Sequence, residues 1–457
     1  MASLSNLSRV ALKIQLKTVG VRTLASTAAQ STKSKKTLAK PNIRNVVLVE
    51  GVRTPFLQSG TDYKNLMPHN LATKSLVGLL KRTGVDKDLI DYVVYGTVIQ
   101  EVKTSNIARE CDAVIAGGVE FMSDVPIRHS RMMRKIMLDS TKAKTPAKKF
   151  ALLKRALSPA AWSPELPAVA EFSTGETMGH SADRLCTAFG ISRQAQDEFA
   201  IRSHQFAADA TAAGLLTDLL PYKVPKVAEY ITKDNGIRPS SMEQMSKLKA
   251  AFIKPFGTIT AANASFLTDG ASACLIMSEE KALSLGLKPK AYLRDFVYVS
   301  QDPQDQLLLG PAYATPKVLD KSGLSMSDID VFEYHEAFAV SILAFAVNLS
   351  GLAVSILAFA INLSGLAGQI LANLTALDSD VFAKNFLGKS SKVGAPAMDK
   401  FNLWGGSLSL GHPFGATGVR LVTTAANRLI KENGQYGLVA ACAAGGIGHG
   451  MIVERYP

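Results

Sequence analysis

The sequence predicts an α/β protein of two similar halves, on two observations. Strand-like and helical patterns alternate along the chain, and a second set of buried strands begins after Pro289. In the first half, residues 45–49, 92–98, 113–116 and 273–277 read as buried strands; residues 71–81 and 193–212 carry apolar side chains at helical spacing. In the second half the strands fall at 291–299, 331–334, 438–441 and 451–453, with a helix at 417–431. Short uninterrupted apolar runs of this kind point to mainly parallel, mixed sheets covered on both faces. The division falls near residue 288, giving halves at 42–287 and 288–457, with a loop region at about 121–255 inside the first. A chain of 457 residues with 47% hydrophobic content is long enough to bury cores of this size.

The net charge of +13 suggests an anionic partner until its distribution is read. Residues 1–49 hold nine Lys or Arg and no acid, whereas the rest of the chain holds 42 basic and 38 acidic residues. Nucleic acid is therefore not an expected partner. Arg9, Lys13, Lys17 and Arg22 spaced among small and apolar residues give residues 1–41 the character of a mitochondrial transit peptide. The four cysteines, Cys111, Cys186, Cys274 and Cys442, are far apart and form no CxxC pair, so neither a disulfide framework nor a zinc site is expected. Residues 128–155 hold ten Lys or Arg against Asp139 alone, with Met132, Met133, Ile136 and Met137 at helical spacing. Such a segment is either a solvated helix face or a contact for phosphates or an anionic membrane surface.

The strongest chemical signal lies near the C-terminus. Trp404-Gly-Gly-Ser-Leu-Ser-Leu-Gly-His412-Pro-Phe-Gly places a lone imidazole among glycines ahead of an amphipathic helix, a setting in which backbone can press against a ligand. His412 is thereby set up for proton transfer. Cys442 stands where a buried strand meets Gly445-Gly446, so that its thiol and the following N–H groups are expected to face one cleft. His335-Glu336-Ala337-Phe338 closes another strand.

These motifs resemble the three C-terminal active-site motifs of the thiolase family. Ala116-Gly-Gly-Val-Glu120, Met122-Ser123, Met178-Gly179 and Thr260-Ala-Ala-Asn-Ala-Ser265 resemble further thiolase segments, and the run Met122 to Arg131 with His335 resembles the trifunctional beta-subunit branch. The resemblance runs from about Asn42 to Pro457. It implies a thiolase-like fold and thiolytic cleavage of 3-ketoacyl-CoA in mitochondrial fatty acid β-oxidation. A cysteine thiolate attacks the 3-keto carbon while a His takes its proton, and a second cysteine protonates the leaving enolate and then activates CoA. By resemblance His412 is that base, Cys442 that acid and base, His335 polarises a substrate oxygen directly or through a water, and Ser265 and Met178 line the pantetheine and acyl channel. Coenzyme A is a substrate and no cofactor is held permanently. Implied partners are acyl-CoA, CoA, further copies of the chain and an alpha-type trifunctional subunit, on the matrix side of the inner mitochondrial membrane.

Two breaks interrupt the resemblance. The family places a strand, and then a helix bearing the nucleophilic cysteine, between the counterpart of Glu110 and the next strand; here Glu110 runs straight into Cys111-Asp-Ala-Val-Ile. Cys111 matches a position just before that strand, away from any helix N-terminus that would lower its pKa, so no residue matches the nucleophile. The first half is accordingly expected to be incomplete, short of an inner strand and a central helix. The second break is an apolar repeat: AVSILAFAVNLSGL at 339–352 recurs at 353–366 with Val347 replaced by Ile361, and a partial third copy follows at 367–374. Two copies as continuous helix would add about 42 Å. Residues 337–377 carry no charge, so a duplicated core helix, a membrane-associated hairpin and a spanning segment are all open. Three functions follow: a 3-ketoacyl-CoA thiolase, a non-catalytic thiolase-like subunit that binds acyl-CoA or an alpha-type partner, and a membrane protein organised by the repeat.

Overall fold

The computed structural model describes residues 38–98, 112–125, 127–165, 170–171, 173–336 and 367–457. The N-terminal basic segment, Cys111 and the repeat copies at 339–366 lie outside the described residues. The principal strands are β1 (Val46–Arg53), β2 (Tyr92–Gly96), β3 (Ala113–Glu120), β4 (Thr268–Ser278), β5 (Ala291–Ser300), β6 (Val331–Tyr334), β7 (Tyr436–Ala443) and β8 (Ile447–Arg455). They run in one sheet in the order β2-β3-β4-β1-β5-β8-β7-β6. The order reads alike from both ends. Each half has a parallel outer pair followed by antiparallel neighbours, and the halves meet where Val47 and Leu48 of β1 pair antiparallel with Tyr292 and Ala291 of β5.

The α/β fold and its mixed sheet match the expectation, but the balance of strand directions does not. Among these strands only β2–β3 and β6–β7 pair parallel; the remaining neighbours are antiparallel. Chain connection accounts for this. The two parallel pairs are joined by long excursions, whereas β7 turns into β8 through Gly445 and Gly446, both at positive φ. The sequence pattern misleads because these antiparallel strands are also covered on both faces, and so carry apolar runs rather than alternation. Among the described residues β2 pairs with β3 at five consecutive positions, Tyr92↔Val114 to Gly96↔Gly118, so the described sheet has no interior gap.

Alternate residues of the strands feed separate cores. Val47, Val49, Ile115, Ala273 and Leu275 pack with Leu79 of helix α1 (Pro68–Thr83). Leu48, Ala116, Ile276, Val439 and Met451 pack beneath the long C-terminal helix (Phe414–Lys431), whose Val419, Val422, Ala425 and Leu429 point at them. That helix crosses both halves of the sheet, and glycine permits the approach: a Cβ on Gly118 would lie 1.7 Å from the carbonyl oxygen of Gly415. On the opposite face of the second half, Phe332, Leu438, Ala440 and Ile452 join Met178, Phe199, Val318 and Ile370 in the largest core.

The last of these belongs to the partial third copy of the repeat, which forms a buried helix over Ala367–Leu377. Asn373 ties it to the chain ahead of Gly310–Ser322, receiving the N–H of Ala312 (2.8 Å) and donating to the Leu308 carbonyl (2.9 Å). A Cβ on Gly368 would lie 2.1 Å from Cys186 Sγ. Among the described residues no helix is long and apolar enough to cross a membrane.

The basic run at 128–155 forms two short helices, Arg131–Ser140 and Pro146–Ala156. Met133 and Ile136 pack inward with Ala161, while Leu138, Phe150, Leu153, Leu157 and Trp162 remain exposed. The rest of the loop region is anchored by polar contacts. The buried Arg53 guanidinium reaches Asp218 (2.8 Å) and Asp234 (2.6 Å). His204, on the helix Arg193–Ala212, accepts the N–H of Arg238 at Nδ1 (3.1 Å).

Burial pushes the His204 pKa down to about 4, with Arg238 acting the same way. The folded state therefore holds a neutral ring that the unfolded chain protonates near 6.5. Its stabilising contribution is complete above that value and is lost as pH falls toward 4, a difference of about 3 kcal/mol. Glu333 and Glu336, whose pKa values burial raises, act in the opposite sense, gaining stability as pH falls toward their ordinary 4.5. His204→Gln should flatten the acid-side loss of stability relative to the parent chain in urea titrations at stepped pH.

Candidate functional site

The parallel pairing of β6 with β7 brings the C-terminal ends of two strands side by side, and the chemistry gathers there. The ladder ends where the His335 N–H meets the Ala440 carbonyl (2.9 Å); Cys442 follows two residues later on the neighbouring strand. Glu336 holds the chain beyond β6 in place. Its carboxylate accepts from Ser203 Oγ (2.7 Å) and Asn402 Nδ2 (2.7 Å), and burial raises its pKa despite these donors. Asn402, at φ 47°, also pairs with both backbone groups of Tyr334, so the strand end is clipped from two sides. Gly406 gives the carboxylate its room, since a Cβ there would lie 2.0 Å from Glu336 Cδ.

His412 arrives from the segment ahead of the C-terminal helix. Gly411 adopts φ 100°, where a side chain would be strained, and the following His412 N–H bonds to Thr268 Oγ1 (3.0 Å). The imidazole is fully buried, with Nδ1 2.7 Å from Thr417 Oγ1. That hydroxyl also lies 3.0 Å from the Pro413 carbonyl, which can only accept. That arrangement fits a His412 that donates from Nδ1 and keeps its basic lone pair on Nε2. The His335 and His412 rings lie 4.2 Å apart between centroids. Burial, then His412 and Arg420, push the His335 pKa well below its ordinary value, so that ring is neutral. Its Nδ1 contacts Ser407 Oγ at 3.0 Å, and its Nε2 has no hydrogen-bond partner among the described residues.

Both halves contribute. The segment containing Ser265 runs into Phe266 and Thr268, which press on Gly411 and His412. Ser265 itself is buried, its hydroxyl without a hydrogen-bond partner among the described residues. Met178 opens the helix Met178–Ala188 and shares the largest core with Cys442. From the first half, Glu120 accepts the N–H of Gly415 (3.1 Å) at the start of the C-terminal helix. The Gly445 N–H, expected to face the cleft beside Cys442, is instead bonded to Glu171 Oε2 (2.8 Å). Among the described residues no cluster of His, Cys, Asp or Glu is placed to hold a metal ion. A 490 Å³ cavity between Asp183, Arg184, Phe256 and Asp305 contains none of the residues of this site.

Comparison with known proteins gives this arrangement its context. The profile of the thiolase N-terminal domain matches residues 46–113 and 108–280, and that of the thiolase C-terminal domain matches 287–455. The chain belongs to the thiolase family. Among curated thiolase relatives, the mitochondrial trifunctional enzyme subunit beta of Bos taurus is 59% identical over 494 aligned residues, covering 100% of this chain and 98% of the relative. The human protein of that name is 58% identical over the same length. The 3-ketoacyl-CoA thiolase of Yersinia enterocolitica is 39% identical over 90% of this chain and 96% of its own. Among solved structures, the Bacillus anthracis acetyl-CoA acetyltransferase superposes with a TM-score of 0.69 at 25% identity, covering 90% of this chain and 99% of its own. Human mitochondrial 3-ketoacyl-CoA thiolase shares the fold at a TM-score of 0.68 and 24% identity, covering 91% and 99% of the two chains.

Of the residues singled out from the thiolase motifs, the structure brings His335 and His412 into ring contact and sets Cys442 on the strand beside His335. Cys111, Ala337 and Phe338 lie outside the described residues. Cys186 and Cys274 are buried in apolar cores, where burial pushes the Cys186 thiol up to about 12 and the Cys274 thiol further, so neither is a nucleophile. The sequence reading missed the supports: Asn402, Ser407, Thr417 and Arg420. Only the small residues of Gly405-Gly406-Ser407 signalled that backbone packs closely there. Gly406→Ala should therefore displace Glu336 and lower the unfolding free energy by about 1–3 kcal/mol in urea titrations.

Proposed function

We propose that this chain binds acyl-CoA and CoA and supplies the proton-transfer and oxygen-polarising groups for thiolytic cleavage of 3-ketoacyl-CoA in mitochondrial fatty acid β-oxidation. The observation that carries this reading is the buried pair of imidazoles, His412 held at Nδ1 by Thr417 and lying 4.2 Å between ring centroids from a neutral His335. By the thiolase resemblance His412 stands in the position of the base for an attacking thiol, and Cys442 in that of the acid for the leaving enolate and the base for CoA. His335 polarises the substrate oxygen, and Ser265 and Met178 line the channel. Coenzyme A comes and goes as a substrate. The names of the curated relatives support β-oxidation, mitochondria and an alpha-type partner subunit. Further copies of the chain complete the proposed assembly.

The covalent step is the part this chain does not supply in our reading. Thiolysis through an acyl-enzyme needs a thiolate nucleophile, and Cys186, Cys274 and Cys442 are each placed otherwise. The N-terminal domain profile matches in two pieces that meet at 108–113, and 494 aligned positions against 457 residues mean that the relative carries residues this chain lacks. Both facts support a segment lost after Glu110. The chain then acts as a thiolase-like binding subunit rather than a complete thiolase. Intact-protein mass spectrometry after mixing with 3-ketoacyl-CoA should show no stable acyl adduct. An adduct removed by Cys111→Ala would make Cys111 the nucleophile, and one on Cys442 would mean that the acid/base cysteine has taken over; either would overturn this reading. Calorimetric titration should show CoA binding that Met178→Trp weakens at least about tenfold, or about 1.4 kcal/mol; no binding by the parent chain would end the acyl-CoA reading.

A further observation favours a membrane-surface role on the matrix side of the inner membrane. The helices Arg131–Ser140 and Pro146–Ala156 expose Leu138, Phe150 and Leu153 in a strongly basic segment. Sedimentation with anionic vesicles should be salt-sensitive and weakened by Phe150→Asp, and indifference to lipid charge would remove this role. Residues 1–40, fused to a fluorescent protein, should direct it to mitochondria; a diffuse signal would remove the compartment.

A further inference from the structure

We infer that Ser407, held by Arg420, is a positioning residue that fixes His335 with its ring proton on Nε2. This rests on the proposed role of His335 toward the substrate oxygen and explains how a neutral imidazole becomes a dependable donor there. Ser407 Oγ has two polar neighbours. Arg420 Nη2 lies at 2.8 Å and His335 Nδ1 at 3.0 Å, and all three residues are buried. A guanidinium can only donate, so Arg420 occupies a lone pair of the hydroxyl. The one hydroxyl proton then has a single acceptor left, His335 Nδ1. A neutral imidazole that accepts at Nδ1 carries its proton at Nε2, the atom that is buried and unpartnered.

The charged surroundings keep this relay directional. Glu333, at the heart of β6, bonds Arg428 (2.7 Å) and stands 3.8 Å from Arg420 Nη1, holding that guanidinium in the interior. Glu336 is occupied by Ser203 and Asn402. The His412 ring and the Arg420 charge both oppose a proton on Nδ1 in addition to one on Nε2, and burial acts the same way. The two rings therefore hold opposite tautomers: Thr417 makes His412 an acceptor at Nε2, while Ser407 makes His335 a donor at Nε2. Reversing the second would turn a lone pair toward the substrate oxygen and repel it.

The test reads the tautomer directly in the full-length chain, without substrate. Histidine is labelled with 15N and the ring nitrogens are followed by solid-state NMR, the His335 signals being assigned among seven histidines by their loss in His335→Asn. The expected result is a protonated Nε2 and an unprotonated Nδ1. Ser407→Ala should lower the ratio of Nε2–H to Nδ1–H about fivefold or more, the effect of losing one hydrogen bond. Ser407→Thr should restore it, and the His412 signals should stay in place in both variants. A proton on Nδ1 in the parent chain overturns the inference even if Ser407→Ala does not fold, and so does an unchanged ratio in a folded Ser407→Ala. A locked Nε2–H in a chain that binds no CoA would support the relay while counting against the proposed function.

Discussion

Contact between the Phe414–Lys431 helix and strand β3 sets the position of nearly every group in the site. It requires two glycines, Gly118 and Gly415, to meet without side chains, and a buried carboxylate, Glu120, to receive the Gly415 N–H in the first turn of the helix. From that docking the rest follows along one helix. His412 precedes it, Thr417 orients His412 from its second turn, Arg420 reaches Ser407 from the next, and Arg428 holds Glu333 near its end. The helix spans both halves of the sheet, so a shift at β3 would be felt at β6 and β7.

This economy places costly groups in the interior. Arg53, Arg420, Arg428, Glu333 and Glu336 are all fully buried or nearly so. A buried ion pair seldom adds net stability over an apolar replacement of the same volume, whereas losing one member leaves a charge stranded. Their value here lies in geometry. Arg53 ties the loop region to β1, while Arg420, Arg428, Glu333 and Glu336 fix Ser407 beside His335 and the chain at and beyond β6.

Sequence alone located the turns that carry His335, His412 and Cys442 better than the groups that support them. Glycine-rich turns beside buried strands mark those positions, and the strand cores at 331–334 and 291–299 were read almost to the residue. Strand direction was not legible: burial on both faces erases the alternation that separates antiparallel from parallel pairing in exposed sheets. Glu120 with Gly415, Asn402 with Glu336 and Ser407 with His335 were not legible either. Each partner lies 66 to 295 residues away, and only the folded topology selects it.

The helix Ala367–Leu377 carries a consequence for the repeat that precedes it. Its seat in the core is written in two residues, Gly368 against Cys186 Sγ and Asn373 between Leu308 and Ala312. In the two longer copies the corresponding positions hold Val340 and Val354 in place of the glycine, and Phe345 and Phe359 in place of the asparagine. Either copy laid into this seat would drive a β-carbon to 2.1 Å from the sulfur and leave the Ala312 N–H and Leu308 carbonyl without their amide partner. Shape and hydrogen bonding, beyond hydrophobicity, fit the segment Ala367–Leu377 to this seat.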